Sequence, residues 1–269
     1  MNWIFLNKNN SDEYIEMFAR GCSAVPTELE TWRYQDSDAP LVIRGIMKHK
    51  IIKQCWADSR PFWYIDSGYV GNRPSVLNPH GWKQWHRVVP NNLQHGAVIP
   101  RPADRWQRHD IAMPQRRHGS KILLAVPDEK PCVFYDIILA DWIAQTVATI
   151  QQYTDREIVI RERNSNRQAR VASDLQSALT DVHAVVTFNS IAATESVLAG
   201  VPAFALAPSN AAIPVANTDL SKINNPWYPD QDQIHDWACH LAYGQFHNSE
   251  LRDGTAHRIL QQTEEMLNA

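Results

Sequence analysis

One aspartate stands where a proton acceptor would be needed. Asp66 closes the apolar run Phe62–Asp66 in F-W-Y-I-D-S-G-Y-V-G, so a strand would deliver its carboxylate to a cleft. A carboxylate so placed can take the proton from an attacking hydroxyl while a leaving group departs. Asp-Ser-Gly is also good turn chemistry, and the same residue can serve as an Asx-turn. His86 and His95 are the alternatives for the role of base.

A second group could bind an anion. Val185–Leu206 reads V-V-T-F-N-S-I-A-A-T-E-S-V-L-A-G-V-P-A-F-A-L: strand, turn, helix, glycine stop, strand. Asn189 and Ser190 can cap the helix, and Gly200 ends it before Val201-Pro202 opens the next strand. Free N–H groups and the helix dipole would face a ligand at the strand's carboxyl end. Glu195, just over one turn further on, could accept hydrogen bonds from a ribose. Arg161 and Arg163 follow the apolar strand Glu157–Ile160, where a guanidinium can grip phosphate in a bidentate fork; of the two, Arg161 is the better placed.

A third group is basic and aromatic. Lys83, Arg87, Arg101, Arg105, Arg108, Arg116, Arg117 and Lys121 stand against Asp104 and Asp110, with Trp82, Trp85 and Trp106 among them. Cations interleaved with aromatic rings suit a phosphate backbone with unstacked bases. A solvated linker surface is the plainer alternative. Lys83, His86, Arg87, Asn91, Arg105, Arg116 and Arg117 are the expected contacts to nucleic acid. The histidines of residues 80–96 match no zinc spacing, so no metal site is expected.

These groups need elements to hold them. The pattern predicts strands at Trp3–Leu6, Leu41–Ile46, Phe62–Asp66 and near Arg87–Val89. Helices are expected at Ser11–Cys22, capped by Ser11, and at Lys48–Asp58. Gly68–Pro114 reads mainly as loops. From Lys121 strands and helices alternate: strand Lys121–Val126, helix Tyr135–Tyr153, strand Glu157–Ile160, helix Ala172–Leu179, strand Ala184–Phe188, a helix from Ile191, and strand Pro202–Leu206. Helices Asp232–Gln245 and Ser249–Asn268 finish the chain. Such alternation predicts a parallel, doubly wound sheet. A polar boundary near Arg116–Ser120 divides an acceptor domain, residues 1–118, from a donor domain, residues 119–269, with the last helix leaning back on the first.

The run T-F-N-S, Glu195, Gly200 and Pro202 resembles the donor half of GT-B glycosyltransferases. That resemblance implies an α/β chain of two Rossmann-like domains facing across a cleft. It also implies a nucleoside-diphosphate sugar, UDP-linked, as co-substrate, with no tightly bound cofactor and no required divalent metal. I-D-S-G-Y, W-H-R-V-V-P-N-N-L-Q-H and the tail Leu241–Phe246 resemble bacteriophage proteins associated with glycosyltransferases that decorate hydroxymethylated pyrimidines. The acceptor this implies is a 5-hydroxymethyl pyrimidine, such as hydroxymethylcytosine, in double-stranded phage DNA, its base flipped into the cleft. A polysaccharide or small-molecule acceptor is the alternative, as is a non-catalytic nucleotide- or DNA-binding protein of the same fold.

The chain of 269 residues is long enough for two modest domains. A net charge of −3 gives no global nucleic-acid signature. No apolar run reaches the length of a membrane span, and Met1–Lys8 lacks a basic leader. Cys22, Cys55, Cys132 and Cys239 have neither metal nor disulfide spacing. A monomer in a reducing, cytoplasmic setting is expected, in the host cell if phage-encoded.

Overall fold

A computed structural model of the chain describes residues 3–8, 12–72, 84–162 and 175–268. The chain divides into two compact units: Met1–Leu93 with Ala242–Ala269, and Gln94–Leu241. The boundary therefore falls after Leu93 and not near Arg116–Ser120. The reason is where residues 94–117 make their bonds. The Gln94 side chain bonds Asn189 and Ala211, the Ile99 N–H donates to His240, and the Arg117 N–H donates to the Gly200 carbonyl.

The first unit begins with strand β1 (Ile4–Asn7), helix α1 (Glu13–Gly21) and the two-residue strand β2 (Thr27–Glu28). Ser11 lies outside the described residues; the N-cap is Asp12, whose carboxylate accepts from the Ile15 N–H. Tyr14, Ile15, Phe18 and Ala19 form the buried face of α1. Strand β3 (Leu41–Arg44), helix α2 (His49–Ala57) and strand β4 (Phe62–Ser67) follow. Leu41–Ile43 and Phe62–Ile65 are buried throughout, as continuous apolar runs in central parallel strands should be. Strand β5 (Trp85–Pro90) is antiparallel to β4.

The second unit contains the short helix α3 (Asp104–Gln107), then β6 (Lys121–Ala125), α4 (Glu129–Tyr135), α5 (Leu139–Gln151) and β7 (Ile158–Arg161). The helix expected over Tyr135–Tyr153 starts later, at Leu139, and a helix the sequence did not suggest, α4, precedes it. Asp136 takes a left-handed backbone, φ 56°, and ends α4. Next come α6 (Leu175–Ala178), β8 (Val182–Thr187), α7 (Ala192–Leu198), β9 (Ala203–Ala205) and α8 (Gln231–Tyr243). All three strand pairings are parallel, in the order β7-β6-β8-β9. Ala125 pairs with both Arg161 and Thr187, and Thr187 with Ala205, so the carboxyl ends of all four strands align.

The chain then returns to the first unit with β10 (Gln245–His247), α9 (Asn248–Arg252) and α10 (Thr255–Asn268). Gly254, at φ +86°, separates the last two helices where one was expected. Strand β10 pairs antiparallel with β5, giving the order β10-β5-β4-β3-β1-β2. Phe5, Phe18, Val42, Trp63 and Val88 pack with Phe246, Leu251 and Leu260 of this returning segment. Trp63 stacks on Trp3 at 3.6 Å and donates to Glu264 at 2.7 Å. Each fully buried side chain of this size stabilises by about 1.5–3 kcal/mol, which explains why the return is integral to the unit.

Within their parallel parts the two sheets share one plan. Numbered from each unit's own first strand, both run 2-1-3-4. The fold class is thus α/β, with two Rossmann-like units, and each has a switch point between its first and third strands.

Candidate functional site

In open α/β sheets ligands bind at the carboxyl ends of the strands, where the strand order reverses. In the first unit that edge carries Asn7 of β1, Arg44 of β3 and Asp66 of β4. Asn7 is fully buried and receives the Asp12 N–H on its side-chain oxygen. Arg44 pairs with Asp12 at 3.2 Å and lies over the Tyr14 ring at 4.4 Å. Arg44 pairs in the sheet with Ile65, so Asp66 stands one residue further along the neighbouring strand.

Asp66 is held by three donors. Its Oδ2 accepts from the Tyr64 hydroxyl at 2.8 Å and from Arg87 at 3.0 Å; its Oδ1 accepts from the Ser67 N–H at 2.8 Å. Burial pushes this carboxyl up, but Arg87, the Ser67 N–H and the Tyr64 hydroxyl outweigh it and hold its pKa below the usual carboxylate value. It is therefore ionised, and 39% of its side chain stays exposed. Arg87 is the buried partner, 8% exposed, and also donates to the carbonyls of Ser67 and Leu93. The bonds within this group bring Asp66 its counter-ion from β5, a partner the sequence reading had sent to nucleic acid.

Next to these, Lys48 donates from Nζ to the Arg44 carbonyl at 2.6 Å. Burial lowers its pKa, Asp12 raises it, and the nearby Arg44 and Lys8 lower it further. Gly45, between Arg44 and the helical turn, has φ +81°, and no atom lies within 4 Å of where a side chain would begin. Lys48, Gly45, Arg44 and Asn7 were missed by the sequence reading. The signal available was R-G-I-M-K directly after an apolar run.

Among its described residues, the second unit's edge is braced mainly by neutral groups. The Thr187 hydroxyl donates to the Ala125 carbonyl at 2.7 Å, tying the ends of β8 and β6. The loop after β8 is held by two buried amides. Gln94 donates to the Asn189 carbonyl at 2.6 Å and accepts from the Ala211 N–H at 2.9 Å. Asn210 donates to the carbonyls of Phe188 and Ser190. Neither amide was singled out from the sequence. Ser190 Oγ accepts from the Ala192 N–H at 3.2 Å, so the serine does meet the first turn of α7. Asn189 is 9% exposed, its backbone committed to Gln94; Glu195 is half-buried on α7. Arg161 is the last residue of β7, at the same sheet edge with β6 between it and Thr187. Arg163 lies outside the described residues. Phe188, half-buried at this edge, meets the rings of Tyr135 at 5.0 Å and Trp142 at 6.2 Å. A polar depression of about 500 Å³ lined by Gln151–Arg156 and Asn224 lies beside the amino end of β7, at the opposite edge of the sheet.

The expected nucleic-acid contacts fare differently. Lys83 lies outside the described residues. His86 is 2% exposed and packs on the Tyr14 ring at 4.0 Å. Arg87 and Arg105 are 7% and 3% exposed. These three side chains are interior, so they correct the expectation of a phosphate-facing surface. Asn91 shapes a turn at φ 54°: its side-chain oxygen accepts from the Phe62 N–H and its carbonyl from Trp56. Only Arg116 and Arg117 of the set are exposed cations among the described residues, and Arg116 also donates to the Pro226 carbonyl at 3.3 Å. No described helix is by itself long and apolar enough to cross a membrane. No group of three or more metal-ligating side chains occurs among the described residues.

No protein-family model matches the chain, and no curated protein does. Among solved structures it is similar to two transferase structures of Thermosulfurimonas dismutans KpsC. The beta Kdo 2,7 transferase is 10% identical with a TM-score of 0.45, over 95% of this chain and 99% of that one. The beta Kdo 2,4 transferase has the same identity and TM-score, over 90% and 98%. A likeness this distant carries no weight for activity or substrate.

Proposed function

We propose that the chain is a glycosyltransferase that moves a sugar from a nucleoside-diphosphate sugar to an acceptor hydroxyl. The observation that supports it is the pair of like-ordered units whose switch-point edges differ in kind. One presents an ionised carboxylate, Asp66; the other presents a guanidinium, a hydroxyl and half-buried aromatic faces. In this reading the second unit takes the donor. Arg161 meets the diphosphate, Ser190 and Asn189 line its loop, and Glu195 meets the ribose. Asp66 takes the acceptor's proton. Its pairing with Arg87 keeps it in the base form but weakens it, so the proton moves late, once the attacking hydroxyl has been acidified by bond formation.

The acceptor we favour is a saccharide or a small molecule. The duplex-DNA acceptor depended on a row of cations, and His86, Arg87 and Arg105 are buried. A panel of nucleotide-sugars tests the whole reading through thermal protection and release of free nucleotide. One donor should raise the melting temperature. Arg161→Ala should weaken it by about 10–100-fold, the range for losing a charged hydrogen bond. If no nucleotide-sugar protects the chain or is turned over, the reading fails. Protection without turnover on any acceptor would leave a non-catalytic nucleotide binder.

A further inference from the structure

The switch point of the first unit holds more cationic donor capacity than the protein itself uses. An ammonium has three N–H donors. Lys48 gives one to the Arg44 carbonyl, and no described carboxylate lies within ion-pairing distance of it. It is half-buried, where an ammonium without a counter-ion is costly. Arg44 uses Nη1 on Asp12, while its Nε is buried with no acceptor. Lys8 follows the end of β1 at the same edge. The acidic groups that bear on Lys48 are Asp12, already paired, and the exposed Glu30. Between these two cations, Arg44 ending β3 and Lys48 at the N-cap of α2, sits Gly45, whose side-chain space is open.

We infer that this strand edge is an oxyanion site: it receives a carboxylate or phosphate group on a small or saccharide ligand, gripped by Lys48 and Arg44 beside the open face of Gly45. Asp66 lies on the adjacent strand, about 5–10 Å away by strand spacing. An acidic acceptor anchored here would present a neighbouring hydroxyl to that carboxylate. Assigning the ligand as acceptor rests on the transferase reading; the anion site itself does not.

The test uses the full chain and four probes at constant ionic strength: inorganic phosphate, glucuronate, glucose 1-phosphate and glucose. Calorimetry or NMR titration should show binding of at least one anion and none of glucose. Glucuronate alone would identify a carboxylate source, the phosphates alone a phosphate source. Lys48→Met should weaken binding at least tenfold. Arg44→Lys, which keeps the charge but loses the fork, should weaken it less. Should Lys48→Met fail to fold, Gly45→Ala adds a methyl to the open floor without touching a charge and should also weaken binding. Absence of anion binding in the wild type, or unchanged affinity in the folded variants, overturns the inference. Anion binding without sugar transfer would overturn only the transferase reading; transfer to a neutral acceptor without anion binding would overturn only this one.

Discussion

The two units share a strand order and spend their switch points differently. The first builds its edge from charges, Asp12 with Arg44 and Asp66 with Arg87, with Lys48 beside them. The second, among its described residues, braces its edge with amides and hydroxyls, Gln94 and Asn210 holding the loop after β8, with Arg161 ending β7 and Asp128 and Glu129 opening α4. Strand order fixes where a ligand can sit, while the side chains placed there fix what it can be. Neutral amides hold a loop without the cost of a desolvated charge. Paired ions in a half-buried edge are sensitive to any change of charge. The contrast implies that structural and functional substitutions separate cleanly in the second unit and overlap in the first.

Two glycines of positive φ make the sharpest break between the units. Gly200, at +86°, would place a Cβ 2.1 Å from the Gln115 carbonyl oxygen, a backbone atom that cannot step aside. Gly200→Ala should destabilise the second unit by about 3 kcal/mol or more, combining left-handed strain with overpacking. Gly45→Ala meets open space and should cost only the strain of its positive-φ, extended-ψ backbone, about 1–3 kcal/mol. Urea unfolding compares them; equal losses would mean that Gly45 is as closed in as Gly200.

The Asp66–Arg87 pair should answer asymmetrically. Asp66→Asn strands a guanidinium that is 8% exposed, whereas Arg87→Met leaves a carboxylate that water can still reach. Loss of a buried ion's partner costs about 3–5 kcal/mol. The exposure of Asp66 reduces this, so about 1–3 kcal/mol is expected for Asp66→Asn. A double-mutant cycle measures the coupling. The expected order is Asp66→Asn worse than Arg87→Met; the reverse would make Asp66 a turn residue first and an ion partner second. The loss of activity in Asp66→Asn must be read on the folded fraction.

Acid should distinguish the units as well. His240 is buried, and burial with the nearby Arg101 pushes its pKa down to about 4. The unfolded chain binds that proton near pH 6.5. Between those values the unfolded state holds more protons, so the stability this histidine contributes is lost as pH falls from about 6.5 to about 4. His183, also lowered by burial, adds to the second unit in the same direction. The first unit has the half-buried His257, lowered by burial but opposed by Glu264. Its Asp66 contribution persists above about pH 4 and is lost below it, as the pH falls through the depressed folded value. Amide exchange at pH 7, 5 and 4 should show the second unit opening first. His240→Asn should flatten that response, and an unchanged profile would assign the acid sensitivity elsewhere.

The core strands were legible because their signal is local: Phe62–Ile65 and Ile122–Ala125 are apolar runs with polar ends. The strand-end carboxylate was legible for the same reason, whereas the helix start was not: the N-cap of α7 is Ile191 and carries no side-chain cap bond, where Asn189 and Ser190 had been expected to cap it. What was hidden depends on distance along the chain. Arg87 reaches Asp66 from another strand, Gln94 braces Asn189 from 95 residues away, and β10 returns more than 150 residues later to pair with β5. A left-handed Asp136 in a helical pattern leaves no compositional trace. Cations read as surface by default, since arginines are rarely buried unless paired, and the pairs of Arg87 were not visible in sequence.

The smallest expected effect is the one that decides the acceptor. Of the expected nucleic-acid contacts, Arg116 and Arg117 are the exposed cations among the described residues; Arg108 of the same stretch is exposed as well. Each phosphate contact to duplex DNA contributes about 0.9 to the slope of log affinity against log salt. Two arginines could supply at most about 1.8 by that measure, against the larger slope a full row of contacts would give. With Arg87 and Arg105 interior, we expect weak binding to any duplex and little change in Arg116→Ala/Arg117→Ala, whether or not the DNA carries hydroxymethyl pyrimidines. Sugar transfer to a saccharide or small acceptor should be untouched by the double substitution. A salt slope of several units that falls by about two in the variant would instead restore DNA as the acceptor.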